Sequence, residues 1–201
     1  MKKLLTFLFV ILIGIPVCAQ TLSKEVEEEL KRQAMVRLDE LTSHLSFVMS
    51  KNGYDNTVKD YHINAALNLF IGKGKSYKDK WGNQQPAARM QVSSLNMGTG
   101  AVSVKEYPVS TYLNNLKYLQ YDEIRITNSK STCIGDLYKV GEDEWEAVVS
   151  WVQVFVGKRG DMTVYKDTTT KNMVVRMHRK DYEGIVRWSV LLGDTTVAVT
   201  Q

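Results

Sequence analysis

The neighbouring side chains best suited to acid–base chemistry are Asp60, Tyr61 and His62, in the stretch DYH. A histidine titrates near neutral pH, and a tyrosine hydroxyl can donate a hydrogen bond to an oxygen that gains negative charge. If Tyr61 and His62 both face a cavity, they supply the donor and the base of a lyase or an isomerase. The other interpretation is structural: Tyr61 packs in the core and His62 lies at the boundary of a helix.

Asp122 is a third catalytic candidate, at the start of a long predicted strand. An aspartate in that place is more typical of a turn or a cap. No metal site is predicted, because His44, His62 and His178 are far apart in sequence and lack a paired spacing such as His-x-x-x-His. We therefore expect no metal and no cofactor.

The first residues have the layout of a secretory signal peptide. Lys2 and Lys3 precede an apolar run of about 14 residues, shorter than the roughly 20 that a membrane-spanning helix needs. Val17 and Ala19 are suited to the two recognition positions of a cleavage site, which predicts a cut between Ala19 and Gln20. We expect an exported protein that is periplasmic or secreted.

Cys18 allows a second interpretation, a lipoprotein that is cut just before this cysteine and held at the membrane by its lipid. Val17 is bulky where such a site usually has a small residue, so a lipid anchor at Cys18 is the less favoured alternative. After cleavage at Ala19 only Cys133 remains, and no intramolecular disulfide can form. Such a lone cysteine is more often a small buried apolar residue than a nucleophile.

Length and charge restrict the class of protein. The sequence has 201 residues, with 26 Lys or Arg and 22 Asp or Glu. Removal of Lys2 and Lys3 with the leader leaves 24 basic against 22 acidic side chains, a formal charge of +2. That balance argues against nucleic-acid binding. Residues 20–201 contain no internal linker and are predicted to form a single domain.

Three helices are predicted in the first part of the mature chain, because apolar residues recur there at steps of three and four. Their expected ranges are 22–52, 57–70 and 108–119. Ser23 is placed to cap the first helix, and Pro108 suits the first turn of the third. Gly53 and Gly72 follow the first and second helices as stop signals.

Strand patterns dominate the remainder of the chain. The Gly- and Lys-rich segment 72–88 is predicted to be an exposed loop, and two short strands follow at 88–95 and 100–107. After Gln120 four long strand-like runs are joined by short turns, which predicts an antiparallel meander. These runs cover residues 121–140, 144–157, 168–181 and 184–201.

The long strands at 144–157 and 184–201 are apolar on both faces. A sheet of such strands is covered on both faces, and three helices can cover only one. A second copy of the chain is the simplest cover for the other face, so we expect a homodimer. The alternative is a strongly curved sheet that closes partly on itself. The predicted dimer face consists of Val148, Val152, Val154 and Trp188.

The order of elements resembles the nuclear transport factor 2-like fold, the cone-shaped α+β group with ketosteroid isomerase-like and scytalone dehydratase-like members. The resemblance covers residues 22–199 and rests on element order and on YPVSTYLNNLKYLQYDEIRIT, where the third helix leads into a long strand. The sequence is also similar to small secreted bacterial members of this group. The resemblance implies three helices packed on a strongly curved, mostly antiparallel sheet, with a pocket between them and a dimer formed through the outer face of the sheet.

Three hypotheses about function follow. The favoured one is an exported, non-enzymatic binding domain that holds a small apolar ligand or a protein partner in the cone. Its expected pocket residues are Tyr61, His62, Trp151 and Phe155. The second is a lyase or isomerase that uses Tyr61 and His62. The third is an envelope scaffold that acts through the face of its sheet and has a filled cone.

Overall fold

The computed structural model describes residues 22–51, 54–129 and 131–201. The predicted leader, with Cys18 and the expected cleavage site at Ala19, lies outside these residues. Three helices precede most of the sheet: α1 (Lys24–Met49), α2 (Asn56–Leu67) and α3 (Val109–Leu116). The strands are β1 (Tyr77–Lys78), β2 (Gln84–Gln85), β3 (Arg89–Leu95), β4 (Val102–Pro108), β5 (Glu123–Asn128), β6 (Thr132–Gly141), β7 (Glu144–Arg159), β8 (Met162–Tyr182) and β9 (Ile185–Thr200).

Helix α1 has the cap and the apolar stripe that its sequence predicts. The Ser23 hydroxyl accepts a hydrogen bond from the Val26 N–H at 3.3 Å, which satisfies one of the free amides of the first turn. The buried side chains recur at helical spacing and include Leu30, Ala34 and Leu38. The predicted stop at Asn52 and Gly53 lies outside the described residues.

Helix α2 begins at the Asp55 cap, whose carboxylate accepts from the Val58 N–H at 3.0 Å. Its buried face holds Lys59, Ile63 and Ala66. The helix ends at Leu67, earlier than predicted, and a short 3₁₀ turn follows at Ile71–Gly74.

Seven strands form one mixed, mostly antiparallel sheet in the order β4-β3-β9-β8-β7-β5, and β6 pairs with β7 as well. Only the β3–β9 pair is parallel among the paired strands of the described chain. Strand β7 carries two partners along one edge: Ile134 of β6 lies opposite Val148, and Ile126 of β5 lies opposite Phe155. The run predicted as one strand at 121–140 is therefore two strands. The meander of β7, β8 and β9 confirms the predicted antiparallel layout.

The segment predicted as an exposed loop contains the short β1–β2 hairpin. The Asp79 carboxylate holds its turn by accepting hydrogen bonds from the backbone N–H groups of Trp81 and Asn83 at 3.0 and 2.8 Å. The Tyr77 hydroxyl accepts from the Arg176 guanidinium at 3.4 Å, which ties the hairpin to the outer face of β8. Trp81 itself stays exposed.

The helices cover the inner face of the sheet, and the core lies between the two layers. On the outer face Val148, Val152 and Val154 are only half-buried in the single chain. The predicted dimer face is wrong at Trp188. Its ring packs edge-to-face on the buried Trp145, with centroids 5.2 Å apart, so it belongs to the core side of the sheet.

Candidate functional site

A cavity of about 340 Å³ lies between helix α3 and the inner face of the sheet. Helix α3 contributes Tyr112 and Leu116, which are four residues apart and therefore on one helical face. Strand β3 contributes Val92, and Leu119 follows α3. These side chains give the cavity apolar walls.

Three aromatic rings form one wall of the cavity. Phe155 of β7 lies edge-to-face against both Tyr121 and Tyr165, with ring centroids 5.9 and 5.7 Å apart. Tyr121 can lie flat against β7 because residue 157 is glycine: a Cβ there would come within 2.6 Å of the tyrosine ring. Of the four residues predicted to line the pocket, Phe155 is the one that does so.

The polar part of the cavity lining is built mainly by β8. Asp167, Thr169 and Lys171 alternate along this strand, so their side chains point to the same face. The Thr169 and Ser93 hydroxyls are hydrogen-bonded at 3.1 Å, which links β8 to β3. Gln153 of β7 donates to the Asn128 amide oxygen at 3.4 Å. This end of the cavity is therefore held by hydrogen bonds between strands.

Asp167 is a buried carboxyl group with one strong donor. The Tyr165 hydroxyl donates to its Oδ2 at 2.6 Å, and that hydroxyl itself accepts the Leu95 N–H at 3.0 Å. Burial raises the pKa of Asp167, while the hydrogen bond from Tyr165 and the charge of Lys171 act in the opposite direction. Burial and the neighbouring carboxylate raise the pKa of Tyr165 to about 12. The Tyr165 phenol therefore stays protonated at neutral pH, whereas the raised pKa of Asp167 brings its carboxyl group closer to the range in which acid–base groups act.

Lys171 is the least expected residue of the cavity. Its side chain is 5% exposed, and no hydrogen bond or ion pair reaches its ammonium from any of the described residues. Asp167 acts on it electrostatically but lies four residues along the strand, about 13 Å away by Cα spacing. Burial lowers the pKa of Lys171 to about 8.

Tyr112 is a second donor that faces the cavity without a partner among the residues of the described chain. Burial, with a smaller contribution from Asp167, raises its pKa to about 12, so the phenol stays protonated at neutral pH. Lys171 and Tyr112 together offer hydrogen-bond donors to any oxygen that enters. The arrangement can bind a small molecule that has an apolar body and an acceptor atom at one end.

Tyr61 and His62 do not belong to this cavity. Tyr61 is 66% exposed. His62 lies where α2 packs on α1, stacked on Phe47 with ring centroids 4.2 Å apart. Its Nδ1 is 3.0 Å from the Nδ1 of His44, and burial, helped by the charge of His62, lowers the pKa of His44. The prediction that Tyr61 and His62 line the cone is corrected, because Tyr61 faces solvent and His62 packs against α1.

Two further candidates also have structural positions. The exposed Asp122 accepts the Gly160 N–H at 2.8 Å, so it fixes the turn between β7 and β8 as the turn interpretation expects. Trp151 lies directly opposite Lys171 on the neighbouring strand but is packed in the core rather than lining the cavity. Its indole N–H is buried without a partner among the described residues.

Other kinds of site find little support in the described part of the chain. Cys133 is half-buried, its Sγ lies 3.6 Å from the Lys31 carbonyl oxygen, and burial raises its thiol pKa, which disfavours the reactive thiolate. Within residues 22–51, 54–129 and 131–201, His, Cys, Asp and Glu side chains form no group of three that could hold a metal. No helix in these ranges is long and apolar enough to cross a membrane.

The comparisons with known proteins concern the fold. No family model and no curated protein matches the sequence. Among solved structures, one assigned as a scytalone dehydratase from Novosphingobium aromaticivorans has a TM-score of 0.38 at 12% identity, covering 87% of this chain and 90% of that one. A hexachlorocyclohexane dehydrochlorinase (LinA) Type2 structure has a TM-score of 0.37 at 11% identity, covering 87% and 91%. The architecture of three helices on an open, mostly antiparallel sheet confirms the predicted α+β fold class.

Proposed function

We propose that this protein is an exported binding domain that holds a small molecule in the cavity between α3 and the sheet. The observation that carries the proposal is the pairing of apolar walls with buried, unpaired donors in one cavity. A cavity of about 340 Å³ lies within the usual range for small-molecule sites of roughly 300–1,000 Å³. The ligand has an apolar body and an uncharged oxygen acceptor, rather than being wholly apolar as the sequence suggested.

The charges in the cavity favour an uncharged ligand. Asp167 and Lys171 already supply one carboxyl group and one amine to a buried space. A ligand carboxylate would bring a second negative group beside Asp167, and burying like charges together is costly. An uncharged carbonyl or ether oxygen can accept from Tyr112 or Lys171 without that penalty.

Binding of a neutral fluorescent probe tests this proposal. N-phenyl-naphthylamine has three aromatic rings, no charge at neutral pH and no carbonyl group, and its emission rises when it leaves water. We expect saturable binding to the wild-type chain. Val92→Trp fills the cavity from β3 and should abolish binding, whereas Val104→Trp places the same side chain at a half-exposed site on β4 and should not. Equal binding by both variants would contradict the proposal.

A lyase or isomerase remains the second candidate, now centred on Asp167. The observation that favours it is a buried carboxyl group with a raised pKa in the same cavity as the Tyr112 donor. A base beside a donor is the arrangement that enolisation requires. Solvent-deuterium exchange into a bound cyclic ketone, measured by NMR, distinguishes the two: an enzyme exchanges the α-hydrogens, and Asp167→Asn stops the exchange.

Homodimerisation through the outer face is part of the proposal. Val148, Val152 and Val154 form a half-buried apolar strip on β7, which a second copy would cover. We expect a dimer by light scattering, which Val152→Lys converts to a monomer. Thr163→Lys, at an exposed site of β8, should leave the dimer intact. The scaffold hypothesis needs this same face but a filled cone, and the open cavity supports it less.

Export is likewise proposed from the sequence. The intact mass of the chain, purified from its host's envelope fraction, distinguishes the two ways in which the leader could be processed. A chain that starts at Gln20 supports cleavage after Ala19, and an acylated chain that starts at Cys18 supports a lipid anchor.

A further inference from the structure

Lys171 is difficult to explain as part of a stable fold. Lysine is almost never fully buried unless it is paired, and a buried unpaired ammonium destabilises the folded state. Here the side chain is 5% exposed and has no hydrogen bond or ion pair with any described residue. Sites that break a packing rule in this way are commonly functional. The position is therefore better explained by what Lys171 does to a bound molecule.

The strand neighbours of Lys171 are apolar residues, and its side chain lines the cavity. Across the strands it lies opposite Trp151 of β7 and Val197 of β9. The titratable groups that share its cavity are Asp167, Tyr165, Tyr112 and Tyr121. All of these are acids, so Lys171 is the basic residue among those lining the described cavity.

Its protonation state suits nucleophilic chemistry. Since burial lowers the pKa of Lys171 to about 8, about a tenth of the side chains carry an uncharged amine at pH 7. An exposed lysine with a pKa near 10.4 is uncharged in well under a thousandth of molecules. A desolvated lysine of this kind is the usual amine in proteins that form Schiff bases with carbonyl compounds.

We propose that Lys171 captures an aldehyde or ketone ligand covalently, as an imine, in the cavity between α3 and the sheet. The inference rests on the proposed function and names the head group of its ligand. The Nζ lone pair attacks the carbonyl carbon, and the carbonyl oxygen takes up the proton that nitrogen loses. The resulting carbinolamine expels its hydroxyl group as water, which leaves a carbon–nitrogen double bond. Amine and carbonyl thus give imine and water, with no oxidant or reductant.

Other groups of the cavity fit roles in this sequence. Proton transfer to the departing oxygen needs an acid–base group, and the Asp167 carboxyl, four residues along β8 from Lys171, can act on a carbinolamine that lies between the two side chains. The Tyr112 hydroxyl has no partner in the described chain and can donate to the carbonyl oxygen as it gains charge. The walls formed by Val92, Leu116 and Phe155 are apolar and hold few waters beside the imine, which slows its hydrolysis.

Reductive trapping tests the proposal directly. The full mature chain is incubated with naphthaldehyde, and cyanoborohydride converts any imine to a stable secondary amine that peptide mass spectrometry locates. We expect the label on Lys171, formed at pH 7 about tenfold or more faster than on exposed lysines such as Lys166. Lys171→Met should abolish this label, and the matched control Lys166→Met, on the same strand, should retain it. N-phenyl-naphthylamine should protect Lys171 by occupying the cavity.

The outcomes separate this inference from the proposed function. If the probe binds but Lys171 is spared while exposed lysines are labelled, imine capture is wrong and non-covalent binding stands. If the probe does not bind and Lys171 is spared, both are wrong. Val92→Trp provides a second check that leaves Lys171 in place: it should slow labelling of Lys171 without changing labelling of Lys166, and undiminished labelling of Lys171 would overturn the assignment to this cavity.

Discussion

The inner face of strand β8 has two halves that differ sharply. Met173, Val175 and Met177 are fully buried and fill the space beneath the helices. Two residues before Met173 the same face turns polar, with Lys171, Thr169 and Asp167 around an open cavity. The alternation of buried and half-buried side chains along β8 continues across the boundary. The filled half stabilises the fold through close packing, whereas the open half is less closely packed and lines the candidate site.

The helices account for this division. Helix α1 runs over β5, β6, β7 and β9, and its apolar stripe packs on the filled half. Helix α3 is only eight residues long and covers the open half with Tyr112 and Leu116. The shorter cover leaves space that side chains do not fill. A single sheet can therefore carry a core and a pocket side by side.

Met173→Lys should have the largest effect, because it places in the filled half the residue that the open half contains. The buried ammonium would have no partner and no cavity to relax into, so we expect a loss of about 4 kcal/mol or more, or no folded protein. Urea denaturation measures the loss. Near wild-type stability would show that the two halves do not differ in packing.

Lys171→Met should instead increase the stability of the fold. The pKa of Lys171 is 10.5 in the unfolded chain and about 8 in the fold, so below pH 8 the folded state bears the full penalty of the buried charge, about 3 kcal/mol. We expect the variant to be more stable than wild type by about 2–3 kcal/mol at pH 7. Between pH 8 and 10.5 the wild-type fold loses its proton first, so the difference should shrink as pH rises.

Denaturation at several pH values measures that difference, and Lys166→Met serves as the exposed control. A difference that stays constant from pH 7 to pH 10 would show that Lys171 is not a charged, desolvated group in the fold.

Tyr165→Phe should have a moderate effect confined to the open half. It removes the hydrogen bond that stabilises the charged form of Asp167, so the pKa of Asp167 should rise further. It also leaves the Leu95 N–H without its acceptor, and we expect a loss of about 1 kcal/mol in stability. Carbon-13 NMR of the aspartate carboxyl groups measures the pKa. An unchanged or lowered value would contradict the described contact.

Tyr61→Ala should have the smallest effect, because the side chain is largely exposed and lies outside both halves. We expect a change in stability within about 0.5 kcal/mol and unchanged binding of N-phenyl-naphthylamine. Loss of binding in this variant would show that the binding site includes the face of α2 that the sequence analysis predicted.

The sequence predicted the helices and the meander well, because their apolar periods are long and regular. It misplaced Tyr61 and His62 because α2 has a weak apolar stripe, and the face that packs inward holds Lys59, Ile63 and Ala66 instead. On β9, the sequence analysis assigned Trp188 to the outer face of the sheet, where it predicted the dimer contact. Alternation groups side chains by face but does not tell which of two apolar faces points inward.

The polar half of the cavity had a usable signal. Met173, Val175 and Met177 alternate along one face of their strand, and the same alternation continues to Lys171 and Asp167. A lysine in register with three core residues is unusual and marks a candidate site. The sequence did not predict how short α3 is. Because α3 covers little of the sheet, this end of the sheet stays open.

Native mass spectrometry of the chain purified from its own host tests the central claim most directly. We predict that the wild-type chain retains a small organic molecule and that Val92→Trp, isolated in the same way, does not. If both chains are bare and neither binds N-phenyl-naphthylamine, the cavity between α3 and the sheet is not a binding site and the account is wrong.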